Sequence, residues 1–143
     1  MIEKTNLFIE LVEMVVSLHA LEDRLSERTA HLPITPLHYK ILQLLYFDGD
    51  KSLTALSECL GLSLPNASRE IKKLEAQLMV NKKSKAGDLR SLRIELSPRG
   101  IEVMTQSLSM MEDDFYATTG PWDQQRTEEF RNALRVLKKN ITF

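Results

Sequence analysis

A mainly α-helical fold with one small β-hairpin is predicted by three observations. Apolar residues recur every three or four positions over most of the chain. The period breaks once, after Leu78, where a short alternating pattern flanks the turn Ala86-Gly87. Helix-capping residues punctuate the remainder at Thr35-Pro36, Gly61-Leu62-Ser63, Ser97-Pro98 and Gly120-Pro121.

In chain order, residues 5–28 carry Leu7, Leu11, Val15, Leu18, Leu21 and Leu25 on one stripe, widened by Phe8, Val12 and Val16. This spacing predicts a long amphipathic helix with more apolar surface than one neighbouring helix covers, so burial against several helices, including those of a second chain, is expected. After Leu32-Pro33-Ile34, Thr35 caps a second helix that starts on Pro36, turns Leu37, Ile41, Leu44 and Leu45 inward, and ends near Gly49. A short third helix runs from about Leu53 to Leu60 and stops at Gly61, a residue suited to the left-handed conformation. Ser63 caps a fourth helix with Ala67, Ile71, Leu74 and Leu78 inward. The hairpin follows, from Val80 to Ser84 and then Leu92, Ile94 and Leu96 alternating with Arg93 and Glu95. Ser97-Pro98 opens a fifth helix with Ile101, Met104, Leu108, Met111 and Phe115 inward, and the sixth runs from about Asp123 with Phe130, Leu134, Leu137 and Ile141.

The 143 residues, 43% hydrophobic and 27% charged, can build one substantial core, and five glycines and five prolines leave no flexible linker. Glu10 and Glu13 interrupt the first apolar stretch, so neither a signal peptide nor a membrane span is expected, and a cytoplasmic protein follows. The single cysteine, Cys59, excludes an internal disulfide and a thiolate zinc cluster; beside the turn at Gly61 it is expected as a small hydrophobe. His19, His31 and His38 lack metal-ligand spacing and are expected at helix surfaces or partly buried. With no phosphate loop, nucleophile elbow or paired catalytic carboxylates, an enzyme is not expected, nor is a cofactor or a metal.

Charge is unevenly spread. The net charge is −1, yet residues 63–99 hold nine Lys/Arg against four Asp/Glu, a net +5, while the other ten bases and sixteen acids give −6. One basic surface on an acidic body is the footprint of a protein that meets phosphates with one face. Short helix, glycine turn and capped helix form a helix-turn-helix, in which the second helix offers its N-terminal residues to base edges. Here those residues are Ser63, Pro65, Asn66, Ser68 and Arg69. Asn suits adenine, Arg suits guanine, Ser suits either, and Pro can meet a thymine methyl. Lys72 and Lys73 fall one turn later, where phosphates pass, and Lys82, Lys83, Lys85 and Arg90 make the hairpin a basic wing. Arg93 is expected to pair with Asp88 or Glu95 in place of touching a base.

The chain resembles the MarR-type (multiple antibiotic resistance) regulators. The resemblance runs through Ile34-Thr35-Pro36-Leu37-His38-Tyr39-Lys40-Ile41-Leu42, Leu60-Gly61-Leu62-Ser63, Ala67-Ser68-Arg69, Lys73-Leu74-Glu75, Asp88-Leu89-Arg90 and Leu96-Ser97-Pro98-Arg99-Gly100. It implies a winged helix-turn-helix lobe at 33–98 and a helical dimerisation lobe at 1–32 and 99–143. It further implies a homodimer whose first and last two helices interlock, so that Leu7, Leu11, Val15, Phe130, Leu134 and Leu137 are candidate interface residues. Arg90 would probe the minor groove of double-stranded DNA, Asp88 would hold the wing arginines, and a small aromatic effector would release a repressor from its operator. Two departures stand out: the glycine usual after the fourth helix is replaced in Gln77-Leu78-Met79, so a different helix exit is expected, and Lys82 stands where arginine is frequent. A protein-binding winged helix, or an architectural DNA binder without an effector, would share much of this pattern.

Overall fold

A computed structural model describes residues 2–27, 34–84, 88 and 92–141. Among them are six helices and three strands: α1 Ile2–Glu27, α2 Pro36–Asp48, β1 Lys51–Ser52, α3 Leu53–Leu60, α4 Leu64–Ala76, β2 Val80–Lys83, β3 Arg93–Leu96, α5 Pro98–Thr119 and α6 Gln124–Asn140. The chain divides into two compact units, Met1–Ser109 and Met110–Phe143, with the boundary inside α5.

In the first unit the helix ends follow the capping chemistry. The Thr35 side chain accepts the His38 amide at the start of α2, Ser52 accepts the Ala55 amide at the start of α3, and Ser63 accepts the Asn66 amide at the start of α4. Gly61 ends α3 in the left-handed conformation, φ 63° and ψ 31°. The core gathers Tyr39, Ile41, Leu42 and Leu45 of α2, Leu56 of α3, Ala67, Ile71 and Leu74 of α4, Met79 and Val80, Ile94 of β3 and Met104 of α5. Tyr39 extends its hydroxyl to the buried Ser107 hydroxyl, 2.8 Å away, so its polar tip is satisfied inside this core.

The sheet is antiparallel in the order β1-β3-β2, with Val80 opposite Leu96 and Lys83 opposite Arg93. Strand β1, absent from the sequence reading, consists of two residues that pair Lys51 with Ile94 and Ser52 with Arg93. A two-residue strand leaves no alternation to detect; only the approach of β3 makes it one.

Leu78 corrects the expected inward stripe of α4. The helix ends at Ala76, and Leu78 takes a left-handed φ of 61° with its side chain 65% exposed. Met79 enters the core in its place. The conformation that glycine adopts freely is here imposed on a leucine. The exit is then stapled: the Ser97 hydroxyl donates to Leu78 O at 2.5 Å, and the Ser97 amide donates to Met79 O. Ile101, also expected inward, is 48% exposed, and Ser107 is buried on the face that Met104 shares.

In the second unit Asp123 caps α6 by accepting the Arg126 amide. The Trp122 ring packs on Phe115 and Phe130 at centroid distances of 5.2 and 4.9 Å, its indole N–H donates to Thr119 Oγ1, and the Arg126 guanidinium lies 4.6 Å from the ring centroid.

Candidate nucleic-acid interface

Helix α4 is built with one apolar and one cationic side. Ala67, Ile71 and Leu74 are buried, which turns Pro65, Arg69 and Lys72 to the opposite, exposed side. Asn66 and Lys73 are exposed along one flank, and Ser68 is half-buried on the other. The cap at Ser63 leaves the start of the helix at the surface, where its amides and the positive end of its dipole favour an anion.

Among the described residues, four cations of this surface are already paired. Lys73 reaches Glu70 at 2.7 Å, Lys82 reaches Glu75 at 2.8 Å and Lys83 reaches Glu95 at 3.8 Å. Arg93 donates its Nε–H to Asp50 Oδ2 at 2.9 Å and an Nη2–H to Asp50 O at 2.7 Å. This corrects the expected pairing of Arg93 with Asp88 or Glu95: the register sets Arg93 beside Ser52 of β1, within reach of Asp50, and Glu95 takes Lys83 instead. Among the described residues Arg69 and Lys72 have no ion pair, so they are the most available cations of α4. Exposed pairs of this kind are worth only about 0–1 kcal/mol, so phosphates can displace them. Lys85 and Arg90 lie outside the described residues, and Asp88 is exposed.

Two carboxylates are held ionised. The hydrogen bond from Arg93 and its charge hold Asp50 below the usual carboxylate value. Glu70 is lowered chiefly by its bond from Lys73, then by one from His38, against a desolvation effect that raises it. His38 was expected at a helix surface or partly buried. It is only 3% exposed, with Nε2 2.7 Å from Glu70 Oε2. The two residues are 32 positions apart, so no local spacing announces the pair.

Cys59, expected as a small hydrophobe, is exposed. It borders a cleft of about 390 Å³ in the first unit, lined also by Leu44, Phe47, Leu60, Lys40 and Glu22. Among the described residues no group of three or more His, Cys, Asp or Glu is placed to hold a metal ion, and no helix is long and apolar enough to cross a membrane.

The candidate interface residues Leu7, Val15, Phe130 and Leu134 are 68%, 41%, 48% and 44% exposed in the single chain, while Leu11 and Leu137 are half-buried.

No curated protein matches the chain at a significant level. Solved structures do. A MarR family protein from Bacillus stearothermophilus superposes with a TM-score of 0.75 at 23% identity, covering 91% of each chain. The transcriptional regulator Tm0710 from Thermotoga maritima gives 0.71 at 22% identity, covering 92% of each. A mutant of S. aureus MepR bound to an oligodeoxyribonucleotide gives 0.63 at 19% identity, covering 94% of this chain and 98% of the other. At these identities the likeness establishes the fold, a winged helix-turn-helix within a mainly α chain. The sequence pattern of the MarR family independently matches residues 34–92, which hold α2, the helix-turn-helix and the first strand of the wing, so over that segment the chain is similar to the MarR family.

Proposed function

We propose that the protein is a sequence-specific DNA-binding regulator of transcription, a ligand-responsive repressor that works as a homodimer on a pseudo-palindromic operator. The observation that carries this reading is the exposed side of α4: Pro65, Arg69 and Lys72 outward, Asn66 beside them, on a helix whose opposite side is locked in the core. A helix held this way can lay its N-terminal residues along a major groove, with Arg69 and Asn66 reading bases and Lys72 meeting phosphate. Strand β2 follows it and carries Lys82 and Lys83, which suits a backbone contact beyond the groove. Arg90 and Asp88 keep the roles that the resemblance implies, minor-groove probe and support.

The dimer is supported by the apolar residues that α1 and α6 each leave exposed, Leu7 and Val15 on one and Phe130 and Leu134 on the other. The effector is supported by the cleft beside Cys59, whose volume lies in the range of small-molecule sites and whose Lys40 can meet an acidic group on an aromatic ring. The MepR variant that shares the fold is bound to an oligodeoxyribonucleotide, in keeping with DNA as the partner proposed for this chain.

Binding to genomic fragments in salt steps tests the proposal. The logarithm of the affinity should fall linearly with that of salt concentration, with a slope set by the phosphates contacted. Binding that ignores salt would point instead to an apolar protein partner. Salt-sensitive binding without preference among fragments would point to an architectural role.

A further inference from the structure

The geometry points to His38 as a positioning residue for DNA reading, acting from α2 through Glu70 on the face of α4. This inference rests on the DNA-binding proposal and deepens it. His38 is buried, and its Nε2 lies 2.7 Å from Glu70 Oε2; an ionised carboxylate only accepts, so Nε2 carries the proton and donates. Its other nitrogen, Nδ1, is buried with no hydrogen-bond partner among the described residues. An apolar side chain would fill this core position without leaving a polar atom unmatched. The imidazole keeps that unmatched atom inside, and its one polar contact among the described residues runs to the helix that carries the base-reading candidates.

Glu70 stands between those candidates. Asn66, Glu70 and Lys73 follow one another at spacings of four and three, so they line one flank of α4. Glu70 divides its carboxylate: Oε2 takes His38 and Oε1 takes the Lys73 ammonium at 2.7 Å, with only 19% of the side chain exposed. Held this way, the acid is kept against α2, away from approaching phosphates, and fixes the ammonium two turns beyond Asn66. Without the His38 donor only the exposed Lys73 holds the carboxylate, which can then turn outward along the flank, where it repels phosphate and competes for the Asn66 amide.

The test uses the full-length protein, a duplex that it selects from a random-sequence library, and a scrambled duplex of the same composition. His38→Leu should weaken the selected duplex by about tenfold, the size of one charge-assisted hydrogen bond, and the scrambled duplex by less. His38→Gln, whose amide nitrogen can stand in for Nε2, should stay within roughly twofold of wild type. His38→Asn, whose shorter amide does not reach Glu70, should behave like His38→Leu, and it serves as the comparison if thermal melting shows that leucine is not accepted. In a Glu70→Ala background, replacing His38 should cost no further affinity, because the group it acts through is gone. Equal losses in both backgrounds, or Gln and Asn behaving alike, would reduce His38 to a packing residue. A wild-type protein that selects a duplex and a His38→Leu protein that binds it equally well would overturn this inference alone. Failure of the wild type to select any duplex would overturn the DNA reading, and this inference with it.

Discussion

Gly100→Ala tests how α5 is joined to the end of α4. Gly100 lies in the first turn of α5, buried, and a Cβ added there would stand 2.1 Å from Met79 O, 3.1 Å from Leu96 Cδ2 and 3.2 Å from Met79 C. The nearest atom is backbone, which cannot swing aside. A carbon-to-oxygen contact relaxes to about 3.3 Å, so α5 and the Met79 segment must part by about 1 Å. That movement strains the bonds from the Ser97 amide to Met79 O and from the Ser97 hydroxyl to Leu78 O. Overpacking and a weakened hydrogen bond together should cost about 3 kcal/mol, which for a chain of this length lowers the melting temperature by about 6–12 °C. Gly61→Ala is the control: nothing lies within 4 Å of the added Cβ, and only the left-handed φ of 63° opposes it. It should lose about 1 kcal/mol. Circular dichroism melts of the two variants give the comparison. A Gly100→Ala protein that melts within about 2 °C of wild type, or no lower than Gly61→Ala, would refute the argument.

Other expectations follow from the same geometry. Leu78→Gly should stabilise the fold by about 0.5–1 kcal/mol, because the left-handed backbone is relieved and an exposed side chain forfeits little packing; a lower urea midpoint would contradict this. Lys72→Ala should weaken all DNA sequences alike and reduce the salt slope by about one, whereas Arg69→Ala or Asn66→Ala should cost about 1–3 kcal/mol and relax preference at particular bases. Unchanged selected motifs would move those two residues from reading to positioning. Because Glu70 and Asp50 are held below their ordinary values in the folded chain, their stabilisation is present above those values and is lost as pH falls through the lowered ones. Glu70→Gln should therefore be less stable than wild type at neutral pH and converge with it in acid, as urea midpoints across the acid range would show. A gap that stays constant down to acid pH would remove the electrostatic explanation.

What could be read from the sequence is what depends on near neighbours. The caps at Thr35 and Ser63, the stop at Gly61 and the stripe Ala67, Ile71 and Leu74 are signals contained within a few residues, and the structure has each where the spacing put it. The positions that differed depend on distant approach. Strand β1 exists only because β3 lies beside it, Arg93 meets Asp50 across 43 positions, and His38 meets Glu70 across 32. Leu78 differed for another reason: periodicity extends a helix until something stops it, and no glycine or proline marks the end of α4. The basic surface was legible as a charge count, but not its internal pairing, which leaves Arg69 and Lys72 as the cations of α4 without an ion pair among the described residues.

The central claim is that α4 reads DNA sequence, twice, from a two-fold dimer. Selection of bound duplexes from a random library, followed by sequencing, tests it most directly. The account predicts an enriched motif with two inverted half-sites whose centres lie about one helical turn apart, and loss of the half-site preference in Arg69→Ala with the fold intact. A library that emerges without an enriched motif, or a motif that Arg69→Ala and Asn66→Ala both select unchanged, would contradict it.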